Sequence, residues 1–253
     1  MKSLPGGKKI YFISDFHLGA PDRETSLKRE RKIVRWLDSI SNDAAVLFLM
    51  GDVFDYWFEY AEAVPKGYVR LLGKLAELSD NGVELHYFTG NHDMWVFDYF
   101  TQEMNMRIHR KPVTCEYNGH RFYLGHGDGL GPGDHGYKFI KRVFANPIAQ
   151  WMFARIHPNT GMRIMKYFSR KSRIMTGADD EEFLGQDKEW LILHAREVLK
   201  KDDYDYFIFG HRHLPLDIRL NEKSRYINLG EWMNHCMYAE FDGKELLLKK
   251  FEK

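Results

Sequence analysis

FIFGHRHLP, residues 207–215, is an apolar strand pattern that stops at a glycine and then sets two histidines one residue apart. Side chains two apart on an extended chain point the same way, so His211 and His213 face one side just past the strand's end. The other candidate strands end alike. KKIYFIS (8–14) runs into DFHLG, with Asp15 and His17 one residue apart, and AVLFLM (45–50) runs into GDVFD, with Asp52 and Asp55. VELHYFT (83–89) runs into GNHD, with Asn91, His92 and Asp93, and a hairpin over 114–127 ends in LGHG, with His126. One aspartate after a strand is ordinarily a turn or a helix cap. Five strand ends rich in carboxylate, amide and imidazole in one chain point to a shared site, because ligands collect at the carboxyl edge of α/β sheets.

The spacing between these strands sets the fold class. Helical periodicity over 26–40 and 65–78 separates the first three strands, which predicts a largely parallel sheet covered by helices. Asn118-Gly119 and Asp242-Gly243 are hairpin turns, and the C-terminal quarter reads as a series of short strands. Two packed sheets flanked by helices follow: an α/β sandwich, residues 1–253 forming one domain. From about 134–201 the strand rhythm is lost, and the stretch reads as three helices inserted between two strands.

Composition excludes several classes. With 44% hydrophobic residues the chain can fill a large core, and a net charge of +1 gives no global attraction to nucleic acid, so no nucleic-acid partner is expected. Cys115 and Cys236 belong to no CxxC pattern and the chain opens without a signal-peptide pattern, so a reducing cytoplasm is expected. The longest apolar runs, such as AAVLFLM, fall far short of the ~18 residues of a membrane span.

Carboxylate, amide oxygen and imidazole without thiolate suit Mn2+, Fe or Zn2+ in a catalytic rather than a structural site. The candidates are too numerous for one ion. Two ions ~3.5–4 Å apart, sharing a carboxylate, bring the pKa of a bridging water toward neutrality and clamp an in-line displacement at phosphorus.

In order, DxH, GDxxD, GNHD, GH and GHxH resemble the motifs of the calcineurin-like metallophosphoesterases across nearly the whole chain. The resemblance implies that Asp15, His17, Asp52 and His213 hold one ion, and that Asp52, Asn91, His126 and His211 hold the other, with Asp52 bridging. His92 would face the reacting phosphate, with Asp55 orienting it, and Asp93 would support the site from behind.

The insertion bears on the substrate. Residues 135–175 hold nine Lys and Arg and no Asp or Glu, so the remainder of the chain is at −8. Ile140, Phe144, Ile148, Trp151, Met152 and Ile156, then Ile164, Met165 and Phe168, recur at helical spacing. A basic amphipathic stretch of this kind suits an anionic membrane surface or a lipid-bearing substrate. HGDGLGPGDHGYKFIKRVFANP (126–147), MKYFSRKSRIM (165–175) and LGEW (229–232) are similar to the UDP-2,3-diacylglucosamine diphosphatases of lipid A synthesis. That resemblance implies a manganese-dependent enzyme, peripheral on the inner face of the inner membrane. It would cleave the pyrophosphate of a UDP-linked diacyl sugar by attack of a metal-bridging hydroxide on phosphorus, releasing UMP and 2,3-diacylglucosamine 1-phosphate. The helical insertion would be a lid over the acyl chains, and no obligate protein partner is implied. Asp134, Tyr137, Lys141, Ser169 and Lys188 are the substrate contacts it suggests, while Trp57, beside the metals in sequence, fits the core equally well. Another nucleotide, a cyclic nucleotide or a nucleic acid is the alternative substrate for the same core.

Overall fold

Alternation along β1 (Lys9–Ile13) sends Ile10 and Phe12 to one face and Tyr11 and Ile13 to the other, and all four are buried. A strand covered on both faces reads as a continuous apolar run, and it needs partners on both sides. A computed structural model of the chain, which describes residues 2–132, 135–176 and 183–252, supplies them. β1 pairs in parallel with β2 (Ala44–Leu49), β2 with β3 (Glu84–Phe88) and β3 with β4 (Arg107–His109). β10 (Met237–Phe241) joins antiparallel on the other side of β1, and β11 (Leu246–Lys250) closes that edge. The second sheet has the order β5 (Val113–Tyr117), β6 (His120–Leu124), β7 (Tyr206–Phe209), β9 (Arg225–Leu229), β8 (Pro215–Arg219), with β6, β7 and β9 parallel.

Between the sheets, Ile10, Phe12, Val46 and Phe48 meet Phe122, Leu124, Ile208 and Ile227. Outside the first sheet, Tyr11, Leu47 and Leu85 pack on Ile33, Trp36 and Leu37 of α1 (Arg23–Ile40) and on Leu71, Leu75 and Leu78 of α2 (Val69–Asp80). Burying each such side chain stabilises by about 1.5–3 kcal/mol, so both layers are held chiefly by apolar area. Asp22 starts α1 by accepting from the Thr25 N–H at 3.0 Å.

The fold departs from the sequence expectation in three places. α3 (Tyr99–Met104) and β4 are too short, at six and three residues, to show a period. The inserted region holds four helices rather than three: α4 (His135–Phe144), α5 (Pro147–Phe153), α6 (Pro158–Thr176) and α7 (Trp190–Leu199). Asn146-Pro147 makes the extra break, because proline favours a first helical turn and the Asn146 side chain accepts from the Ile148 N–H at 2.8 Å. α7 also belongs to the sandwich, since Leu191, Ile192 and Ala195 are buried against Phe207, Phe209 and Tyr226.

Parallel pairing brings the carboxyl ends of β1, β2 and β3 to one edge, and those of β6 and β7 to one edge of the other sheet. The Asp15 N–H donates to Gly51 O at 3.0 Å, and the Gly210 N–H to His126 O at 2.9 Å. A Cβ on Gly90 would collide with the Asp52 carboxylate, and one on Gly210 with Ser14 Oγ. The glycines of GNHD and GHRH are therefore required where loops from separate strands crowd one volume.

Candidate active site

Asp15, His17, Asp52 and His211 all have positive φ, at 55°, 43°, 51° and 69°. Non-glycine residues rarely adopt this region, and each costs about 1–3 kcal/mol unless its surroundings fix it. Here they do. The His17 N–H donates to Asp52 O at 2.9 Å, and the His211 N–H to Asp15 Oδ2 at 3.0 Å. From α1, buried Arg29 donates to the carbonyls of Phe16, His17 and Ala20 at 2.7, 2.8 and 3.0 Å, clamping the first loop.

The side chains so placed form two groups. In the first, His17 Nε2 and His213 Nε2 lie 3.0 Å apart, with Asp15 Oδ1 at 3.7 and 3.5 Å from them. In the second, His126 Nε2 lies 3.5 Å from Asp52 Oδ2 and 3.3 Å from Asn91 Oδ1, while His211 Nδ1 lies 3.0 Å from that amide oxygen. Asp52 Oδ2 is also 3.8 Å from His17 Nε2, so this carboxylate stands between the groups. Donor atoms at such separations can share a cation at the ~2.0–2.2 Å bonds of imidazole and carboxylate.

Electrostatics favour cations here. Burial opposes ionisation of Asp15 and Asp52, but the imidazoles beside them outweigh it and hold both below the usual carboxylate range. Burial lowers His17 to about 4, which leaves its nitrogens neutral and ready to ligate. Burial works against the His126 imidazolium too, yet Asp52 prevails and lifts it to about 10, so a proton there balances charge in the metal-free chain. Asp15 Oδ1 is buried with no hydrogen-bond partner, as a carboxylate oxygen poised for a cation would be. The residues fit a pair of divalent ions.

Asp93 lies behind this cluster, accepting from the N–H groups of Gly90 and Val53 at 2.7 and 2.8 Å and from the Tyr87 hydroxyl. Burial and the Asp52 charge raise it to about 6. His92 flanks the first group, its ring centroid 4.9 Å from that of His17. Its Nδ1 lies 3.0 Å from the Asp55 main-chain O and 3.1 Å from Ser169 Oγ of α6. A carbonyl only accepts, so Nδ1 carries the hydrogen and Nε2 is the nitrogen that can take up or release another proton. The Asp55 carboxylate is 3.9 Å from Nδ1 and is instead paired with Arg173 of α6. The Asp55 contact that orients His92 is therefore its backbone.

A family model described as calcineurin-like phosphoesterase matches residues 8–215. The chain belongs to this family. A UDP-2,3-diacylglucosamine hydrolase of Porphyromonas gingivalis is 40% identical over 256 residues, covering 96% of this chain and 98% of that protein. A protein of the same name from Ectopseudomonas mendocina is 26% identical, covering 96% and 98%. A solved phosphoesterase from E. coli aligns over 94% of this chain and 90% of its own, at 16% identity and TM-score 0.45.

In this phosphoesterase the suggested substrate residues do not all meet. Ser169 is buried against His92. Lys141 reaches Asp128 Oδ2 at 2.6 Å, and Tyr137 donates to the same carboxylate. Asp128, two residues after His126, escaped the sequence reading although LGHGD displays it. Lys188 is exposed in the turn before α7. Asp134 lies outside the described residues. Trp57 is fully buried, donates to Glu59 Oε1 at 3.0 Å and packs on Phe54 and Phe100, so it is core. Arg173 was also missed as a site residue; its one signal was its place a helical turn after Ser169.

Proposed function

We propose that this chain is a metal-dependent hydrolase that cleaves the pyrophosphate of UDP-2,3-diacylglucosamine, giving UMP and 2,3-diacylglucosamine 1-phosphate. The convergence of two ligand groups on Asp52, in a chain 40% identical over nearly its whole length to a protein named for that activity, carries this conclusion. Asp15, His17, Asp52 and His213 would hold one ion, and Asp52, Asn91, His126 and His211 the other. Mn2+ is the proposed ion, with Fe and Zn2+ compatible with the same donors. Bound there, such a pair supplies Lewis acidity at the phosphoryl oxygens and lowers the pKa of attacking water. The protein's own contribution is placement. His92, aligned by the Asp55 carbonyl, holds the proton that the leaving oxygen takes. Lys141 and Tyr137, gathered at Asp128, offer donors to the polar half of the substrate.

The insertion suits the lipid half. Phe139, Ile148, Trp151, Met152 and Phe168 are each more than half exposed, although the simplest role for such a stripe is docking onto the core. Apolar side chains left in water beside a basic surface favour acyl chains and an anionic membrane. Among the described residues no helix is long and apolar enough to cross a membrane. We infer peripheral attachment to the inner face of the inner membrane.

The deciding experiment strips the chain of metal, restores Mn2+ and supplies UDP-2,3-diacylglucosamine in mixed micelles. UMP and the lipid monophosphate should appear in equal amounts, and a chelator should stop their release. An enzyme that leaves this substrate intact but hydrolyses another phosphodiester well would refute the lipid assignment. A separate test concerns the membrane. Arg163, Lys166 and Arg170 are exposed on α6, and a basic residue near an anionic surface contributes about 1 kcal/mol. Changing all three to Glu should weaken sedimentation with phosphatidylserine vesicles roughly 100-fold or more, and salt should weaken the parent's binding. Unaltered sedimentation at low salt would place the contact elsewhere.

A further inference from the structure

The guanidinium of Arg173 reaches from α6 to Asp55 Oδ1, an oxygen 3.9 Å from His92 Nδ1 and 4.0 Å from His17 Nδ1. Asp55 is 1% exposed and the Arg173 side chain 20%, so the cation is largely desolvated where it meets a carboxylate that neighbours both His17 and His92. Burial lowers the Arg173 pKa from its usual value, but an arginine stays charged at any ordinary pH. Ser169, four residues earlier, contacts His92. One face of α6 thus brings a hydroxyl and a cation to the side of the site where His92 stands.

A helix can be docked by apolar side chains alone, whereas seating a guanidinium beside a catalytic imidazole adds positive charge where a leaving group departs. A diphosphate diester makes a particular demand there. Water adds its oxygen to one phosphorus, the bridging P–O bond breaks, and the bridging oxygen keeps the electron pair. Negative charge builds on the leaving phosphoryl as that bond breaks, until its oxygen takes the proton from His92, and one proton of the water then restores His92. A substrate with a single phosphoryl group makes no such second phosphate.

We propose, on the strength of the diphosphate-hydrolase function above, that Arg173 is a catalytic residue that binds the oxygens of the leaving phosphoryl group, with Asp55 holding its guanidinium in place. The planar fork of arginine matches phosphate oxygens in two-point contacts, and a positioned donor in a dry site acts mainly on developing charge. Arg173 therefore selects diphosphates over monophosphate diesters.

The test compares the Mn2+-loaded parent with Arg173→Ala and Arg173→Lys on UDP-2,3-diacylglucosamine and on bis(p-nitrophenyl) phosphate. Arg173→Ala should lose about 10²–10³-fold in kcat on the diphosphate and less than about 3-fold on the monophosphate diester. Lysine should restore little of the loss, and added guanidinium ion should rescue Arg173→Ala on the diphosphate alone. Calorimetric titration with inorganic pyrophosphate and inorganic phosphate gives a readout free of turnover: the parent should prefer pyrophosphate, and Arg173→Ala should lose that preference with unchanged metal content. Equal losses on both substrates, or no loss on either, would overturn the proposal, as would a pyrophosphate preference that survives the substitution. If the parent itself leaves the lipid substrate intact, the substrate assignment fails, and the pyrophosphate titration still decides the role of Arg173.

Discussion

Asp52→Asn should yield a folded, inactive chain that no longer holds two ions. Asparagine keeps the shape of the side chain, and its amide oxygen can still accept the His92 N–H that meets Asp52 Oδ1 at 2.9 Å. What disappears is, among the described residues, the carboxylate standing between the two groups, 3.5 Å from His126 Nε2 and 3.8 Å from His17 Nε2. Activity should fall about 10³-fold or more, because the loss removes both the charge that binds the ions and their common ligand. Elemental analysis after gel filtration should count two manganese ions in the parent and one or none in the variant. Stability of the metal-free chain should fall as well. The imidazoles hold Asp52 below the usual carboxylate range and Asp52 lifts His126 to about 10, so its charge stabilises the fold at neutral pH by more than its repulsion of Asp93 costs, and the metal-free variant should melt lower than the parent. The parent should then gain more from Mn2+ than the variant, by about 2.7 kcal/mol for a site at a concentration 100 times its dissociation constant. A variant that retains two ions and turns over would remove Asp52 from the centre of the site.

Why so much of this site was readable from the chain has a physical cause. The candidate ligands follow strands, and parallel strands end together, so Asp15, Asp52, Asn91, His126 and His211 announce themselves by a local pattern of apolar run and polar side chain, with a glycine between in all but Asp15. Even the glycines carry information, since Gly90 and Gly210 are needed where loops touch. The fold class follows from the same strands, of which β1, β2, β3 and β7 are buried on both faces and so nearly unbroken in sequence. Arg173 shows where such reading stops. Its partner Asp55 lies far away in sequence, in a loop after β2, and nothing in SRKSRIM separates it from the neighbouring exposed Arg170. Only the path of α6 across the site makes one a partner of the catalytic loop and leaves the other in solvent. Lys188, suggested by similarity of sequence, lies exposed in the turn before α7. The apolar stripe was legible as a pattern, but whether core or lipid covers it is decided by what packs above it.

His92→Ala should separate placement from chemistry. His92 is held to Asp52 through its main-chain N–H, which alanine retains, so the metal content and melting temperature of the variant should match the parent's. The imidazole itself contacts the Asp55 carbonyl and Ser169, and its loss removes a proton carrier worth about 10²–10⁴-fold in rate. That loss should fall on kcat for UDP-2,3-diacylglucosamine. It should be much smaller for bis(p-nitrophenyl) phosphate, whose phenolate departs without needing a proton. Glutamine at the same place offers a donor but no transferable proton, so His92→Gln should recover binding without recovering rate. If His92 were a metal ligand, the alanine variant would lose manganese along with activity. If it merely propped up α6 through Ser169, both substrates would suffer alike. An unequal loss at constant metal content is the outcome that only a proton held at the leaving oxygen accounts for, and equal loss on the two substrates would exclude that role.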